Sequence, residues 1–258
     1  MYYSYDGIKI YYEMFFKNTN KRNILILPGW GDTRKTFYNM INYFKNNYNI
    51  YIIDYPSFGN SKPPNKDLTI YDYAKLIKNF LIDLNIINPI IIAHSFGGRI
   101  ATILTGLYKC KIDKMIFIDI AGIKPRKNII KKIKEKIYKL LKYLCIHFFK
   151  KTKDKKINYL RKIFGSKDYN SLNSNMYNTF KNIVNEDLKK YYKNIESEVL
   201  IMWGCKDKDT PIYDAKYIKK HIKNSDLVIF KDGTHFVYLE YIYQINVIID
   251  YFITKKDA

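Results

Sequence analysis

Three side chains suited to nucleophilic acyl chemistry stand at turn-like points far apart in the chain: Ser95, Asp207 and His235. A serine hydroxyl is a weak nucleophile at neutral pH. It needs a base to take its proton, and the base needs an acid to orient it. Ser95 lies in Ala93-His94-Ser95-Phe96-Gly97-Gly98, between the strand-formers Pro89-Ile90-Ile91-Ile92 and a helical pattern beginning near Arg99. A strand–serine–helix turn of this kind is the setting of a nucleophile elbow, too tight for large side chains two positions either side of the serine, although a serine before two glycines also occurs in plain strand-to-helix turns. Ala93, in place of the usual glycine, and Gly97 meet that demand. The hydroxyl then projects from the strand end, and the helix N-terminus behind it aims backbone N–H groups at a developing oxyanion.

His235 follows the last apolar run, in Gly233-Thr234-His235-Phe236. Asp207 follows the run before it, in Trp203-Gly204-Cys205-Lys206-Asp207-Lys208-Asp209-Thr210-Pro211. Two other carboxylates compete for the acid's role: Asp209, two residues on, and Asp119, at the end of the strand after the elbow. Asp207 is preferred and the other two stay open. Among the remaining histidines, His94 should point away from the nucleophile, His147 lies in a Lys-rich insertion, and His221 in a surface-like helix. A second oxyanion donor is expected where Pro28-Gly29-Trp30-Gly31-Asp32 closes an early strand, so the N–H groups of Trp30 and Phe96 are the candidates. The Trp30 ring can also serve as a packing anchor. No GxGxxG follows the first strand, and there is no P-loop or cluster of metal ligands, so neither cofactor nor metal is expected.

These residues need elements to hold them. Residues 2–5 and 8–16 are rich in Tyr and Phe and flank Asp6-Gly7, a hairpin signal. Further strands are expected at 23–27, 48–54, 90–92, 114–120, 198–204 and 226–230. Helices are expected at about 33–46, 70–84, 99–108, 212–222 and 239–253. Alternation of apolar strands with helices means a mainly parallel sheet covered on both faces, which binds ligands at the strands' C-terminal ends. The alternation stops over residues 124–195.

The order Ser95, acid, His235 and the motifs L-P-G-W-G-D, D-Y-P-S-F-G-N-S, A-H-S-F-G-G-R-I-A, W-G-C-K-D-K-D-T-P and G-T-H-F-V-Y-L-E resemble the α/β-hydrolase superfamily across essentially the whole chain. The resemblance implies an α/β-hydrolase fold, a mainly parallel eight-stranded sheet flanked by helices. The core would be 1–123 and 196–258, with 124–195 a helical cap inserted after the sixth strand. It further implies Ser95 as nucleophile, Asp207 as acid, His235 as base, and Trp30 with Phe96 as oxyanion donors. Pro28, Ser57 and Thr234 depart from the commonest pattern and leave the triad intact. A serine at the elbow argues against epoxide hydrolases and haloalkane dehalogenases, which use aspartate there.

The function expected is metal-independent hydrolysis of a carboxylic ester or thioester, with a small to medium apolar substrate, through an acyl-enzyme. Acyl transfer or carbon–carbon bond hydrolysis on the same triad are the alternatives within enzymes, and a non-catalytic ligand receptor is the alternative outside them. The net charge of +21 raises nucleic-acid binding. It is disfavoured, because A+T-rich codons produce the same Lys, Ile, Asn and Tyr bias and no zinc-finger, RNP-type or helix-turn-helix pattern accompanies the charge. No 18-residue apolar window and no secretory leader are visible, and Cys110, Cys145 and Cys205 have no disulfide or metal spacing. A cytoplasmic protein with free thiols is expected. Within the insertion, Ile129, Ile133, Ile137, Leu140, Leu144 and Phe148 form an apolar stripe over a helix at 128–149. Between Lys124 and Lys162, sixteen Lys and Arg face only Glu135 and Asp154. The stripe either packs on the core beneath solvated lysines, or the helix is interfacial and meets an anionic membrane or an acidic substrate.

Overall fold

The computed structural model describes residues 1–125, 129–148, 152–164 and 176–255. Eight strands form one sheet in the order β1-β2-β4-β3-β5-β6-β7-β8. They are β1 Tyr2–Tyr5, β2 Ile8–Phe15, β3 Asn23–Leu27, β4 Asn49–Asp54, β5 Ile90–His94, β6 Lys114–Ile118, β7 Glu198–Gly204 and β8 Ser225–Phe230. β1 and β2 form the expected hairpin, with Asp6 (φ 49°) and Gly7 (φ 73°) both left-handed, as a tight primed turn requires. β2 runs antiparallel to β4, and β3 to β8 are parallel.

Burial explains the composition of the parallel strands. Every residue of β4, β5 and β6 is buried, so these strands read as continuous apolar runs rather than alternating ones. Alternate residues then divide between the two faces. Ile24, Ile50, Ile90 and Ile116 join Phe37, Met40, Ile245 and Ile249 in one buried cluster. The helices are α1 Tyr38–Phe44, α2 Ile70–Asp83, α3 Phe96–Gly106, α4 Ile129–Phe148, α5 Lys153–Phe164, α6 Tyr177–Asn185, α7 Lys189–Tyr192, α8 Ile212–His221, α9 Val237–Glu240 and α10 Ile242–Thr254. A Thr69–Asp72 capping box starts α2. The helix expected from residue 33 opens instead as a 3-10 turn, Arg34–Phe37. α3 starts at Phe96, three residues before the periodicity begins, because its first turn springs directly from the elbow.

The D-Y-P-S-F-G-N-S motif closes β4. Asp54 is fully buried, pairs with Arg34, and accepts the N–H groups of Arg34 (3.1 Å) and Asn60 (2.9 Å). Both of its oxygens are thereby spent on pinning the loops after β3 and β4.

Contacts divide the chain into Met1–Ile123 with Glu186–Ala258, and Lys124–Asn185. Residues 186–195, expected in the insertion, therefore join the larger unit. Leu188 and Tyr192 are buried there, and the Leu188 N–H bonds the Gly122 carbonyl at 2.8 Å. In the smaller unit the apolar stripe of α4 is unevenly covered, and Leu144 is half-buried. Ile137, Leu140 and Phe148 are 44%, 59% and 74% exposed, whereas Cys145 is buried and Tyr138 and Leu141 are half-buried. Apolar residues cover more of α4 than one stripe. The side chains of Ile129 and Ile133 lie outside the described residues. Cys110, Cys145 and Cys205 are free thiols, and among the described residues no helix is long and apolar enough to cross a membrane.

Candidate active site

β5 ends at His94, and Ser95 turns the chain sharply with φ 47° and ψ −111° before α3 begins. A non-glycine residue in this region is strained and is held only by its surroundings. The Ser95 carbonyl accepts N–H groups from Gly98 (3.0 Å) and Ala121 (2.9 Å), and its own N–H bonds the Ile118 carbonyl at 3.2 Å. Gly97 lies so close to β3 that a Cβ there would overlap the Leu27 carbonyl, which is why the elbow needs a glycine two residues on.

His235 and Asp207 follow β8 and β7 at the same edge of the sheet. His235 Nε2 lies 2.9 Å from Ser95 Oγ, and Nδ1 lies 2.7 Å from Asp207 Oδ2. A carboxylate only accepts, so Nδ1 carries the proton and Nε2 accepts the Ser95 hydroxyl. Asp207 is held on every side. Its Oδ1 accepts the N–H groups of Asp209 (2.7 Å) and Thr210 (2.9 Å), and its Oδ2 also accepts the Thr210 hydroxyl at 2.6 Å. Trp203 Nε1 in turn donates to the Thr210 carbonyl at 2.8 Å, tying the loop to β7. Thr210 therefore belongs to the candidate site and was missed in the sequence, although its place three residues after Asp207 is the usual signal for a side chain closing an acidic loop.

Charge follows this geometry. Burial opposes protonation of His235, but the hydrogen bond and negative charge of Asp207, with Asp119 and Asp209 further off, lift it above its ordinary value. Burial pushes the Asp207 carboxyl up, yet its bonds to His235 and Thr210 bring it below the usual range. Of the rival acids, Asp119 is fully buried and its Oδ1 accepts the Gly204 N–H at 2.8 Å, with no hydrogen bond to the imidazole. Burial, against the Gly204 N–H and with the nearby charge of Asp207, pushes its carboxyl up to about 7. Asp209 is exposed and contributes its backbone N–H. Asp207, Asp209 and His235 form the one group among the described residues close enough to share a cation, but Asp207 Oδ2 and His235 Nδ1 already face each other.

The two expected oxyanion segments are neighbours. The Trp30 ring meets the Phe96 ring edge-on at 5.2 Å, and Phe58 at 5.0 Å. Phe96 opens α3, where the first N–H groups have no intrahelical acceptor. The His94 ring is 5.0 Å from that of His235. A wide groove at the other end of the sheet is lined by Arg22, Asp113, Lys114, Glu198 and Lys255. Its charges largely pair with one another (Arg22 with Asp113, Lys114 and Lys255 with Glu198), and it is remote from the strand ends that carry the chemistry.

The family described as the alpha/beta hydrolase fold matches residues 22–141. The AB hydrolase superfamily protein YisY of Bacillus subtilis is 27% identical over 252 residues, covering 90% of this chain and 91% of that protein. A Mycoplasma pneumoniae protein carried under the provisional name esterase/lipase 2 is 25% identical over 226 residues, 84% of this chain and 82% of its own. The crystal structure of MGS-M2, an alpha/beta hydrolase enzyme from a deep-sea metagenome library, shares the fold with a TM-score of 0.78 at 21% identity, covering 100% of this chain and 98% of that one. Residues 22–141, which include the elbow, match that family, and the whole chain follows the same topology, so this protein has the α/β-hydrolase fold, and its esterase/lipase-like relatives support an enzyme of the hydrolase type.

Proposed function

We propose that this chain hydrolyses a carboxylic ester or thioester through an acyl-enzyme formed on Ser95. The observation that carries the reading is the continuous chain Ser95 Oγ–His235 Nε2 and His235 Nδ1–Asp207, at 2.9 and 2.7 Å. Ser95 Oγ attacks the substrate carbonyl carbon as His235 Nε2 takes the hydroxyl proton. Asp207 stabilises the imidazolium, and the N–H groups of Trp30 and Phe96 receive the oxyanion. Collapse breaks the bond to the alcohol or thiol, which leaves with the proton from His235. Water then gives its proton to His235, adds to the acyl carbon, and a second collapse returns the proton to Ser95 and releases the acid.

A fluorophosphonate probe should label the wild-type protein on Ser95, located by peptide mass. A panel of esters and thioesters of increasing acyl length, run with and without alcohol and thiol acceptors, then separates hydrolysis from acyl transfer. Absence of labelling would favour the receptor reading and end this one.

The insertion is read as the substrate-selecting cap, and the exposed arc of α4 favours one further role for it. Exposed Ile137, Leu140, Tyr143 and Phe148 stand beside exposed Lys136 and Lys139, an arrangement suited to the surface of an anionic bilayer. Anionic vesicles should therefore co-sediment the protein at low salt more than neutral ones. The difference should shrink beyond about 0.15 M salt, where charges are screened within roughly 8 Å. Equal sedimentation with both vesicle types at low salt would remove this role.

A further inference from the structure

We infer that His94 is a positioning residue that sets the distance between base and nucleophile by holding the backbone of His235. The inference rests on the reading of Ser95 and His235 as nucleophile and base. His94 is buried, with 1% of its surface exposed, and its Nε2 lies 2.9 Å from the His235 carbonyl oxygen. A carbonyl only accepts, so Nε2 must carry a proton whatever the charge of the ring. The donor–acceptor assignment is thus fixed by chemistry.

The bond closes a small circuit. The side chain of residue 94 holds the main chain of residue 235, and the side chain of residue 235 meets that of residue 95. Because Ser95 follows His94 directly, the His94–His235 bond ties the turn after β8 to the elbow itself. The turn's other main-chain ties, such as Thr234 N–H to Glu240 (2.8 Å) and Lys206 N–H to the Gly233 carbonyl (2.9 Å), do not involve β5 or the elbow.

The other edge of the imidazole reaches the turn that carries Trp30. Nδ1 lies 3.4 Å from Asp32 Oδ2, an oxygen that also accepts the Tyr238 hydroxyl at 3.2 Å. The Tyr238 ring lies 4.7 Å from the His94 ring and stacks on Phe37 at 4.6 Å. A Cβ on Gly29 would come within 2.8 Å of Nδ1, so the ring also fills the space left beside that turn. Burial keeps His94 below its ordinary pKa, which spares His235 a second positive charge 5.0 Å away when it takes the serine proton.

Two polar replacements of different reach test the inference. Gln places an amide N–H near the Nε2 position and keeps the bond to His235. Asn ends near the Nδ1 position and keeps only the approach to Asp32. His94→Gln should retain kcat within about 3-fold of wild type, whereas His94→Asn should lose about 10- to 100-fold, the scale expected of a base displaced by roughly 1 Å. KM should change little in either variant. Fluorophosphonate labelling rates, measured below both variants' unfolding temperatures, should follow the same order. If the wild type is not labelled on Ser95, the hydrolase reading and this inference fall together. If it is labelled and the Asn and Gln variants react equally fast, His94 does not position the base and the hydrolase reading stands.

Discussion

Replacing Ser95 by Ala should lower ester turnover by at least about 10³-fold and leave the fold intact, because members of such a triad act as a unit. The expected stability follows from the backbone. The left-handed φ of 47° at Ser95 is a cost of about 1–3 kcal/mol that any residue bearing a Cβ shares, so alanine adds none. The bonds holding that conformation, from Gly98 and Ala121 to the Ser95 carbonyl and from Ser95 N–H to Ile118, are all main-chain. What alanine removes is one hydroxyl, and with it the acceptor of the acyl group. His235→Ala should be comparably slow, and the double variant no slower than either single one. Burst-phase release of a chromogenic alcohol, seen with wild type and absent from both variants, checks this alongside thermal unfolding. A folded Ser95→Ala protein that turned over near the wild-type rate would remove the nucleophile assignment.

Ser95 and His235 were legible in the sequence because their surroundings are local. The elbow needs small residues within two positions of the serine, and both the serine turn and the His235 turn follow short apolar strands directly. The choice among Asp207, Asp209 and Asp119 was less legible. All three sit at strand ends, and only the direction of their oxygens separates them. Asp119 gives its Oδ1 to the Gly204 N–H, a partner 85 residues away, and no spacing rule reports such a bond. His94 shows the same limit: its partner lies 141 residues on.

The strands carry the fold's signature in the sequence, and that signature weakens where burial ceases to be two-sided. β4, β5 and β6 are buried throughout and could not be mistaken. α4 carries apolar residues round more than one face, so periodicity alone could not say which face packs. Residues 186–195 look like the Lys-rich insertion before them, and only the burial of Leu188 and Tyr192 assigns them to the core.

Asp207→Asn should cost about 10⁴-fold in kcat, the scale expected of this substitution in a Ser-His-Asp triad. The cause is the tautomer. An Asn side chain can turn its NH₂ toward Nδ1, which then accepts and leaves the proton on Nε2, where it cannot take the proton of Ser95. The pH profile should shift as well. Catalysis needs neutral His235, so activity rises with pH through the pKa of that residue. In the wild type Asp207 holds this value above the ordinary one despite burial, which puts the acid limb above about 6.5. Without the carboxylate, burial still disfavours the imidazolium, so the residual activity should show its acid limb at lower pH. Asp119→Asn should lose less than about 10-fold, since its carboxyl faces Gly204 and is already partly protonated near neutrality at a pKa of about 7. Asp209→Asn keeps the backbone N–H that Asp207 uses, so its loss should stay within about 3-fold. If Asp119→Asn or Asp209→Asn were instead the crippled variant, with Asp207→Asn near wild type, the acid would have to be reassigned, for only one carboxylate can hold the Nδ1 proton.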